Sequence, residues 1–333
     1  MTHRRVGVIG SFVWDVIHGR DTTVDHLRHR TPIEEWGGIT YALSAFDAAL
    51  GPDWDLVPIV KVGEDLAPRA RDYLRTLRHL APDAAPVVVP YPNNRVTLVY
   101  RDAERRTETL AGGVPAWTWT GLAPLLHGLD ALYVNLMSGW ELDLDTFRLV
   151  RQHFRGPIYC DFHSLCLDHR DGGERTLQPL PNAIDWFRCV DFAQVNEDEM
   201  AMMAPDAMAL SAMAMAAGVQ VLAVTLGARG AVYFAAPSFG RLADLPAGRA
   251  HALAASPGPV RTALVPSVPT RVAQGGDPTG CGDVWGATFF SRLLDDDIMT
   301  NALHAAMVAA ARNVEHRGAT GLAHHLRGEL SPT

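Results

Sequence analysis

Residues 277–283 read DPTGCGD and run directly into the helical segment VWGATFFSRLL. Gly280 and Gly282, two residues apart at the start of a predicted helix, let backbone N–H groups approach an anion closely. The dipole of that helix favours negative charge at the same place. Asp283, in the same turn, can accept a proton from a hydroxyl group. Phosphoryl transfer needs such an anion cradle beside a proton acceptor, although an isolated stretch of this kind is more often an ordinary glycine turn.

The composition is that of an ordinary globular protein, with 48% apolar and 20% charged residues in a chain of 333. This length allows a sizeable core without disulfide bonds or metal ions. The net charge of −8, without a basic run, argues against nucleic acid or a membrane surface as a partner. Four cysteines without a CxxC pair, and an amino terminus without a long apolar segment, favour a cytoplasmic location. The most apolar stretch, Ala207–Ala236, is interrupted by glycine and polar residues and predicts no membrane span.

Strand and helix patterns alternate along much of the chain. RVGVIGS near the amino terminus and LVPIVKVG, which ends at Gly63, are continuous apolar runs typical of strands buried on both faces. From Ala131 onward, strands such as ALYVNLM and PIYCDFH alternate with helices such as LDTFRLVRQHF. This order predicts a parallel sheet with helices on both faces and ligands at the carboxyl ends of the strands. The Pro/Gly-rich segments Pro237–Gly248 and Ser256–Pro269 are predicted to be loops.

In this context DPTGCGD resembles the D-T/P-T-G-A-G-D signature of the ribokinase-like carbohydrate kinases of the phosphofructokinase-B type. The resemblance implies an α/β fold, a three-layer α/β/α sandwich with a mainly parallel sheet. It also implies a single domain over residues 1–333, with a small β lid from about residues 11–36 and 90–112. A lid would exclude water that competes as phosphoryl acceptor. Its exposed edge makes a homodimer through the lids a hypothesis.

The same resemblance implies a chemical role for each residue of the turn. Gly280, Cys281 and Gly282 would form an anion hole for the transferring phosphoryl group, and Asp283 would deprotonate the acceptor hydroxyl. ATP would be the phosphoryl donor with Mg²⁺ as cofactor, while a requirement for a monovalent cation is left open. Cys281 stands where the family usually has alanine. Because a thiol and a methyl group differ little in volume, we interpret Cys281 as a packing residue.

Four residues are predicted on the substrate side. Asp15 follows the first strand, where the family commonly holds substrate hydroxyls, and a carboxylate can accept two hydrogen bonds from a vicinal diol. Gly37 and Gly38 resemble the glycine pair that allows close approach to the substrate. The alternatives are a solvated turn for Asp15 and a tight turn with close helix packing for the glycines. Asp161, at a strand end, either contacts the substrate or caps the following loop.

Two departures from the family pattern concern substrate choice. Ala42 stands where many sugar kinases of the family have an asparagine that contacts the sugar. His163 stands two residues after Asp161, where many relatives have the asparagine of Asp-x-Asn. Either His163 replaces that amide or Asp161 caps the following loop. Ribokinase-like sugar specificity therefore does not follow from the resemblance.

Two further segments resemble the family's nucleotide site. NEDE at residues 196–199 resembles N-x-x-E, which helps to position magnesium-bound phosphates, although acidic residues in a first helical turn are also common caps. TLGARG at residues 225–230 resembles the T-x-G-x-x-G turn, which on its own would be an ordinary turn between strands. Glu199 is expected to act on Mg²⁺ indirectly. The residues assigned to the nucleotide side are Asn196, Glu199, Thr225, Gly227, Gly230, Asp277 and Thr279.

The sequence therefore predicts an ATP-dependent kinase that transfers the γ-phosphate to a hydroxyl of a small carbohydrate-like molecule, a sugar, polyol or nucleoside. One alternative is an adenosine-like nucleoside kinase. Another is a non-catalytic relative that binds a sugar or nucleotide, although Asp283 with both glycines argues against it. A dinucleotide-binding oxidoreductase is disfavoured because VGVIGSF lacks the GxGxxG spacing.

Overall fold

The structure, a computed structural model, describes residues 3–18, 32–100, 106–168, 173–245, 258–272 and 276–329. Two parts of the predicted lid, residues 19–31 and 101–105, lie outside the described residues. The strands are β1 (Arg4–His18), β2 (Ile33–Gly38), β3 (Trp54–Gly63), β4 (Val87–Val89), β5 (Arg95–Tyr100), β6 (Arg106–Ala111), β7 (Ala131–Asn135), β8 (Ile158–Asp161), β9 (Phe192–Asn196), β10 (Val221–Thr225), β11 (Ala231–Ala235) and β12 (Arg261–Val265). The helices are α1 (Ile39–Ala49), α2 (Ala67–Leu74), α3 (Trp119–Leu122), α4 (Leu144–His153), α5 (Ala183–Phe187), α6 (Glu197–Met203), α7 (Ala207–Ala216), α8 (Cys281–Leu294), α9 (Met299–Val314) and α10 (Leu322–Leu326).

The large sheet is mostly parallel and has the strand order β12-β11-β10-β9-β8-β7-β1-β3-β4. From β4 to β10 all neighbouring strands are parallel, whereas β11 and β12 add two antiparallel pairings at one edge. The carboxyl ends of the parallel strands therefore meet along one side of the sheet, where α/β proteins of this type bind their ligands.

Helices cover both faces of this sheet, because successive strand residues point to opposite faces. On β7, Tyr133 faces a core formed with α1, α8, α9 and α10, whereas Leu132 and Val134 face a core formed with α4, α5 and α7. Phe290 is a fully buried residue of the first core and Phe147 of the second. The predicted three-layer α/β/α sandwich is confirmed.

A small sheet grows from the end of β1. Arg4–Ser11 pairs with β3 in the large sheet, whereas Phe12–Ile17 pairs with β2 and Trp14–His18 pairs with β5. β6 adds to β5 as an antiparallel strand. Asn93, fully buried, ties this small sheet to the end of β3, because its side chain accepts from Gly63 N at 3.0 Å and donates to Phe12 O at 3.1 Å. Except for Gly37 and Gly38 at the end of β2, the small sheet lies within the two segments predicted as a lid, and its action as a lid stays a prediction.

The edge beyond β10 differs from the prediction for Ser256–Pro269. The described part of that segment contains β12, which pairs antiparallel with β11. The loop prediction was wrong there because four of the five residues of β12 are exposed, so the strand lacks the alternation of apolar and polar residues that sequence reasoning requires. No helix in the described ranges has both the length and the apolar character needed to cross a membrane.

Candidate active site

The turn before α8 requires glycine at its centre. Gly280 caps the amino end of α8 with φ at 75°, and a Cβ there would lie 2.2 Å from ring atoms of Tyr41. Asp277, which is buried, closes the turn by accepting a hydrogen bond from Thr279 N at 2.8 Å. Cys281 N donates to Pro278 O at 3.2 Å. The other first amides of a helix have no partner within the helix, so this turn can present N–H groups and the positive end of a dipole to an anion.

Cys281 is directed toward α9. Its thiol lies 3.6 Å from the backbone oxygen of Ala310 and accepts a hydrogen bond from Asn313 Nδ2 at 3.3 Å. The same Asn313 amide donates to Thr279 O at 2.8 Å. The thiol therefore lies in the packing between α8 and α9, and these contacts support our interpretation of Cys281 as a packing residue. Sequence reasoning missed Asn313, because nothing in the alanine-rich sequence of α9 indicates that this residue contacts Thr279 and Cys281.

Asp283 lies in the first turn of α8 and is 3% exposed. Asn135, the last residue of β7, donates a hydrogen bond from Nδ2 to Asp283 Oδ1 at 2.6 Å. This contact orients the carboxylate, and a donor favours its charged form. Sequence reasoning did not single out Asn135, although a polar residue within the apolar strand ALYVN was the available signal.

Three polar side chains form a row on neighbouring strands. Asn135 on β7 is the register partner of Asp161 on β8, which is in turn the partner of Gln194 on β9. Gln194 Nε2 donates both to Asp161 Oδ2 at 3.2 Å and to Gly282 O at 3.0 Å. Tyr159 fixes Gln194 from the other side, since its hydroxyl donates to Gln194 Oε1 at 2.6 Å. The row therefore connects the glycine turn and Asp283 to the carboxyl ends of the central strands.

Asp161 is a buried carboxyl group, 2% exposed, beside other acidic groups. Its Oδ1 accepts a hydrogen bond from His163 N at 3.2 Å, so it caps the following turn, which was one of the two alternatives for this residue. Burial, together with the negative charges of Asp283 and Glu199, raises the pKa of Asp161 well above its usual range. The Asp161 carboxyl therefore keeps its proton to a higher pH than an exposed aspartate, and a contact with substrate stays a prediction.

The predicted substrate-side residues of the first segment lie together. Asp15, which is buried, lies so close to Gly37 that a Cβ on Gly37 would be 1.9 Å from the Asp15 carboxylate. Gly38 has φ at 60°, and a Cβ there would lie 2.7 Å from Ser11 O and 3.2 Å from the Met137 side chain. Gly38 also immediately precedes α1, whose Tyr41 contacts the glycine turn before α8. Less than one helical turn of α1 therefore separates the predicted substrate-side residues from the residue that contacts this turn.

Asn196 and Glu199 form a reciprocal cap at the start of α6. Asn196 Oδ1 accepts from Glu199 N at 2.8 Å, while the two Glu199 oxygens accept from Asn196 N at 2.8 Å and from Asn196 Nδ2 at 2.7 Å. Burial, with smaller contributions from Asp198 and Asp283, raises the pKa of Glu199 to about 8. Each Glu199 oxygen can accept a second hydrogen bond, so this buried carboxyl fits an indirect role toward Mg²⁺ through water.

The TLGARG segment lies farther along the same side of the sheet. Thr225 ends β10 and is the register partner of Asn196. Gly227 and Gly230 both have positive φ, at 58° and 99°. A Cβ on Gly230 would lie 2.1 Å from Val265 O of β12, so close backbone packing requires glycine there. These residues lie two strands away from Asp161, and their nucleotide role stays a prediction.

Comparisons with known proteins agree on family and fold. Residues 174–325 match the sequence profile described as pfkB family carbohydrate kinase. A Burkholderia thailandensis nucleoside kinase in complex with inosine is similar, at 16% identity and a TM-score of 0.68, over 96% of this chain and 94% of that chain. An Arabidopsis thaliana ribokinase complexed with ribose and ATP has 16% identity and a TM-score of 0.63, over 98% and 99%. A pyrophosphate-dependent kinase in the ribokinase family has 14% identity and a TM-score of 0.67, over 94% and 96%.

No curated protein sequence matches the chain. At identities of 16% and below, the solved structures establish the fold, and the family profile establishes the class of reaction. Residues 174–325 therefore match the pfkB family of carbohydrate kinases, which indicates a phosphotransferase that acts on a hydroxyl group, and the chain as a whole has the ribokinase-like fold.

Proposed function

We propose that this enzyme transfers the γ-phosphate of ATP to a hydroxyl of a small carbohydrate-like substrate, with Asp283 as the general base. The observation that carries the proposal is the position of Asp283 directly after a turn that admits only glycine at Gly280, with its carboxylate held by Asn135. A hydroxyl is a poor nucleophile until its proton begins to leave, and a carboxylate within hydrogen-bond reach can receive that proton.

The anion hole would be formed by Gly280, Cys281 and Gly282. The dipole of α8 favours an anion at this turn, and Gln194 fixes the turn by donating a hydrogen bond to Gly282 O at 3.0 Å. In this position the turn would stabilise charge on the transferring phosphoryl group. Asp277 and Thr279 would keep the turn in shape through their hydrogen bond.

Asn196 and Glu199 would help to position the phosphates and Mg²⁺, and Thr225, Gly227 and Gly230 would line the nucleotide site. When bound, Mg²⁺ neutralises charge on the phosphate oxygens. The support in this chain is the buried Glu199 carboxyl beside the strand end of Asn196. A requirement for a monovalent cation stays open, and rates in potassium and sodium salts would decide it.

The test of the base is the isosteric variant Asp283→Asn. General base catalysis typically contributes about 10²–10⁴-fold, so kcat should fall by at least that order while affinity for an ATP analogue changes little. Asp72→Asn is the control, since Asp72 forms an exposed ion pair with Arg75 at the end of α2. A kcat of Asp283→Asn within about tenfold of the wild-type value would refute the base assignment.

The substrate would be held by Asp15, Gly37, Gly38 and Asp161, beneath a lid formed by the small sheet. A thermal-shift screen of sugars, polyols and nucleosides would identify it, because ligands of the native state raise its melting temperature. The screen is run with an ATP analogue and with pyrophosphate, since one similar structure is of a pyrophosphate-dependent kinase. A homodimer through the lids and a cytoplasmic location remain parts of this proposal.

A nucleoside is the second candidate substrate. It is favoured by Ala42, which leaves no amide at the position of the family's sugar-contacting asparagine, and by the similarity to a nucleoside kinase bound to inosine. Comparing adenosine and inosine with ribose and fructose in a coupled assay of donor consumption separates the two candidates.

A further inference from the structure

One group of side chains, which includes the proposed base, has the composition of a metal site. Asp161, His163 and Asp283 each place one ligand atom, two carboxylate oxygens and an imidazole nitrogen, within 4.8 Å of one another. Three atoms that are mutually at most 4.8 Å apart lie within about 2.8 Å of a common centre, whereas a ligand bond is about 2.0–2.2 Å long. Side-chain adjustments of roughly 0.6 Å would therefore bring all three atoms into range of a single ion.

A second observation at this place also indicates a ligand. Asn135 is fully buried, and its Oδ1 makes no hydrogen bond of normal geometry among the described residues, although the Tyr133 hydroxyl lies beside the amide. Its Nδ2 is bonded to Asp283 Oδ1 and its backbone is in register with Asp161, so the amide lies at the same strand ends as both carboxylates. The assignment of oxygen and nitrogen in this amide follows from the contact itself, because a carboxylate oxygen needs a donor. A buried acceptor without a partner suits an ion or its bound water.

The surroundings orient the ligands as metal sites require. Gln194 and the backbone N of His163 each donate to one Asp161 oxygen, which fixes the plane of that carboxylate. Such supporting hydrogen bonds hold ligands in place around metals. Two buried carboxyl groups this close repel each other when both are ionised, and either a proton or a cation can relieve that repulsion. The imidazole of His163 favours a cation from the transition series, since Mg²⁺ and Ca²⁺ prefer oxygen ligands alone.

We propose that Asp161, His163 and Asp283 bind one divalent first-row transition-metal ion, with Asn135 beside it. This site differs from the Mg²⁺ position proposed at Glu199, whose two oxygens are engaged in the cap of α6. The inference does not rest on Asp283 being the base, because it concerns binding in the absence of substrate and nucleotide.

The test is titration of the metal-free protein with Co²⁺. Calorimetry measures the affinity, and the visible absorption of the bound ion reports its ligands. We expect one Co²⁺ per chain, bound more tightly than Mg²⁺ or Ca²⁺. His163→Asn should weaken Co²⁺ binding by at least about tenfold and reduce the preference over Mg²⁺. Asparagine is the right replacement because His163 has φ at 37°, a conformation that asparagine tolerates. His304→Asn, on the exposed surface of α9, is the matched control.

Two outcomes would overturn the proposal. The first is an equal affinity for Co²⁺ in the wild type and in His163→Asn. The second is a wild-type protein that binds Co²⁺ no more tightly than Mg²⁺, in which case a proton shared by Asp161 and Asp283 relieves their repulsion instead. The second comparison uses the wild type alone, so it decides the matter even if His163→Asn does not fold.

Discussion

Asn135 is the residue on which the proposed base depends most directly. The variant Asn135→Leu keeps the number and branching of the side-chain heavy atoms and removes the donor that lies 2.6 Å from Asp283 Oδ1. A hydrogen bond to a charged group contributes about 1.5–3 kcal/mol. One pH unit corresponds to about 1.4 kcal/mol. Losing a bond that favours the ionised carboxylate should therefore raise the pH at which the base is half-protonated by about 1–2 units.

The expected result is a shift of the acid limb of the kcat–pH profile by about 1–2 units to higher pH, with the alkaline limb unchanged. The sign follows from the donor: an N–H group favours the carboxylate, so without it the base stays protonated to higher pH and is inactive there. The assay is initial rate against pH at saturating donor, with the substrate found by the thermal-shift screen.

Gln220→Met is the matched control, because Gln220 is a buried amide that donates to Gly218 O at 3.0 Å, outside the groups of residues assigned to the site. Both variants lose a buried hydrogen bond, which costs about 1–3 kcal/mol, so both should have lower melting temperatures. Only Asn135→Leu should shift the pH profile. An acid limb at the wild-type pH in Asn135→Leu would refute the inference that this amide sets the ionisation of the base.

Three further predictions concern the substrate side, the nucleotide side and the pH dependence of stability. Asp15→Ala should raise the KM for substrate and leave ATP-analogue affinity unchanged, because a lost hydrogen bond to a charged group is worth about 1.5–3 kcal/mol; wild-type KM and kcat would contradict the assignment. Glu199→Gln should raise the Mg²⁺ concentration needed for half-maximal rate, whereas normal Mg²⁺ dependence with a large loss of melting temperature would support a purely capping role. Because burial raises the Glu199 pKa to about 8 in the folded state, above its unfolded value, wild-type stability should fall as pH rises from about 4.5 toward 8, and Glu199→Gln should lack that part of the fall.

The glycine turn was predictable because its chemistry is local. A positive φ at Gly280 and a carboxylate three residues later depend only on spacing along one segment, and the structure places both at the start of α8. The layer arrangement was predictable for a similar reason, since the alternation of strands and helices determines which residues face which core. The reaction class followed from the resemblance and is confirmed by the family profile.

The row formed by Asn135, Asp161 and Gln194 was not predictable in the same way. Its members are far apart in sequence and meet only because three parallel strands pair in one particular register. A shift of one residue in any pairing would turn a side chain to the opposite face of the sheet. Sequence reasoning therefore found Asp161 but could not show that Gln194 connects it to Gly282.

The glycines of the TLGARG segment show how a motif can match for more than one physical reason. Gly230 is required by the backbone of β12, since a Cβ would lie 2.1 Å from Val265 O whether or not a nucleotide binds. β12 was itself missed as a strand, so this constraint was invisible in the sequence. A Cβ on Gly227, in contrast, would meet no atom of the described residues within 4 Å, although its φ of 58° still favours glycine. Substitution of Gly230 would therefore disturb the pairing of two strands before it reported on a nucleotide. The hydroxyl of Thr225 donates a long hydrogen bond of 3.4 Å to Val195 O, so its removal in Thr225→Val should disturb the strands less and test nucleotide binding more directly.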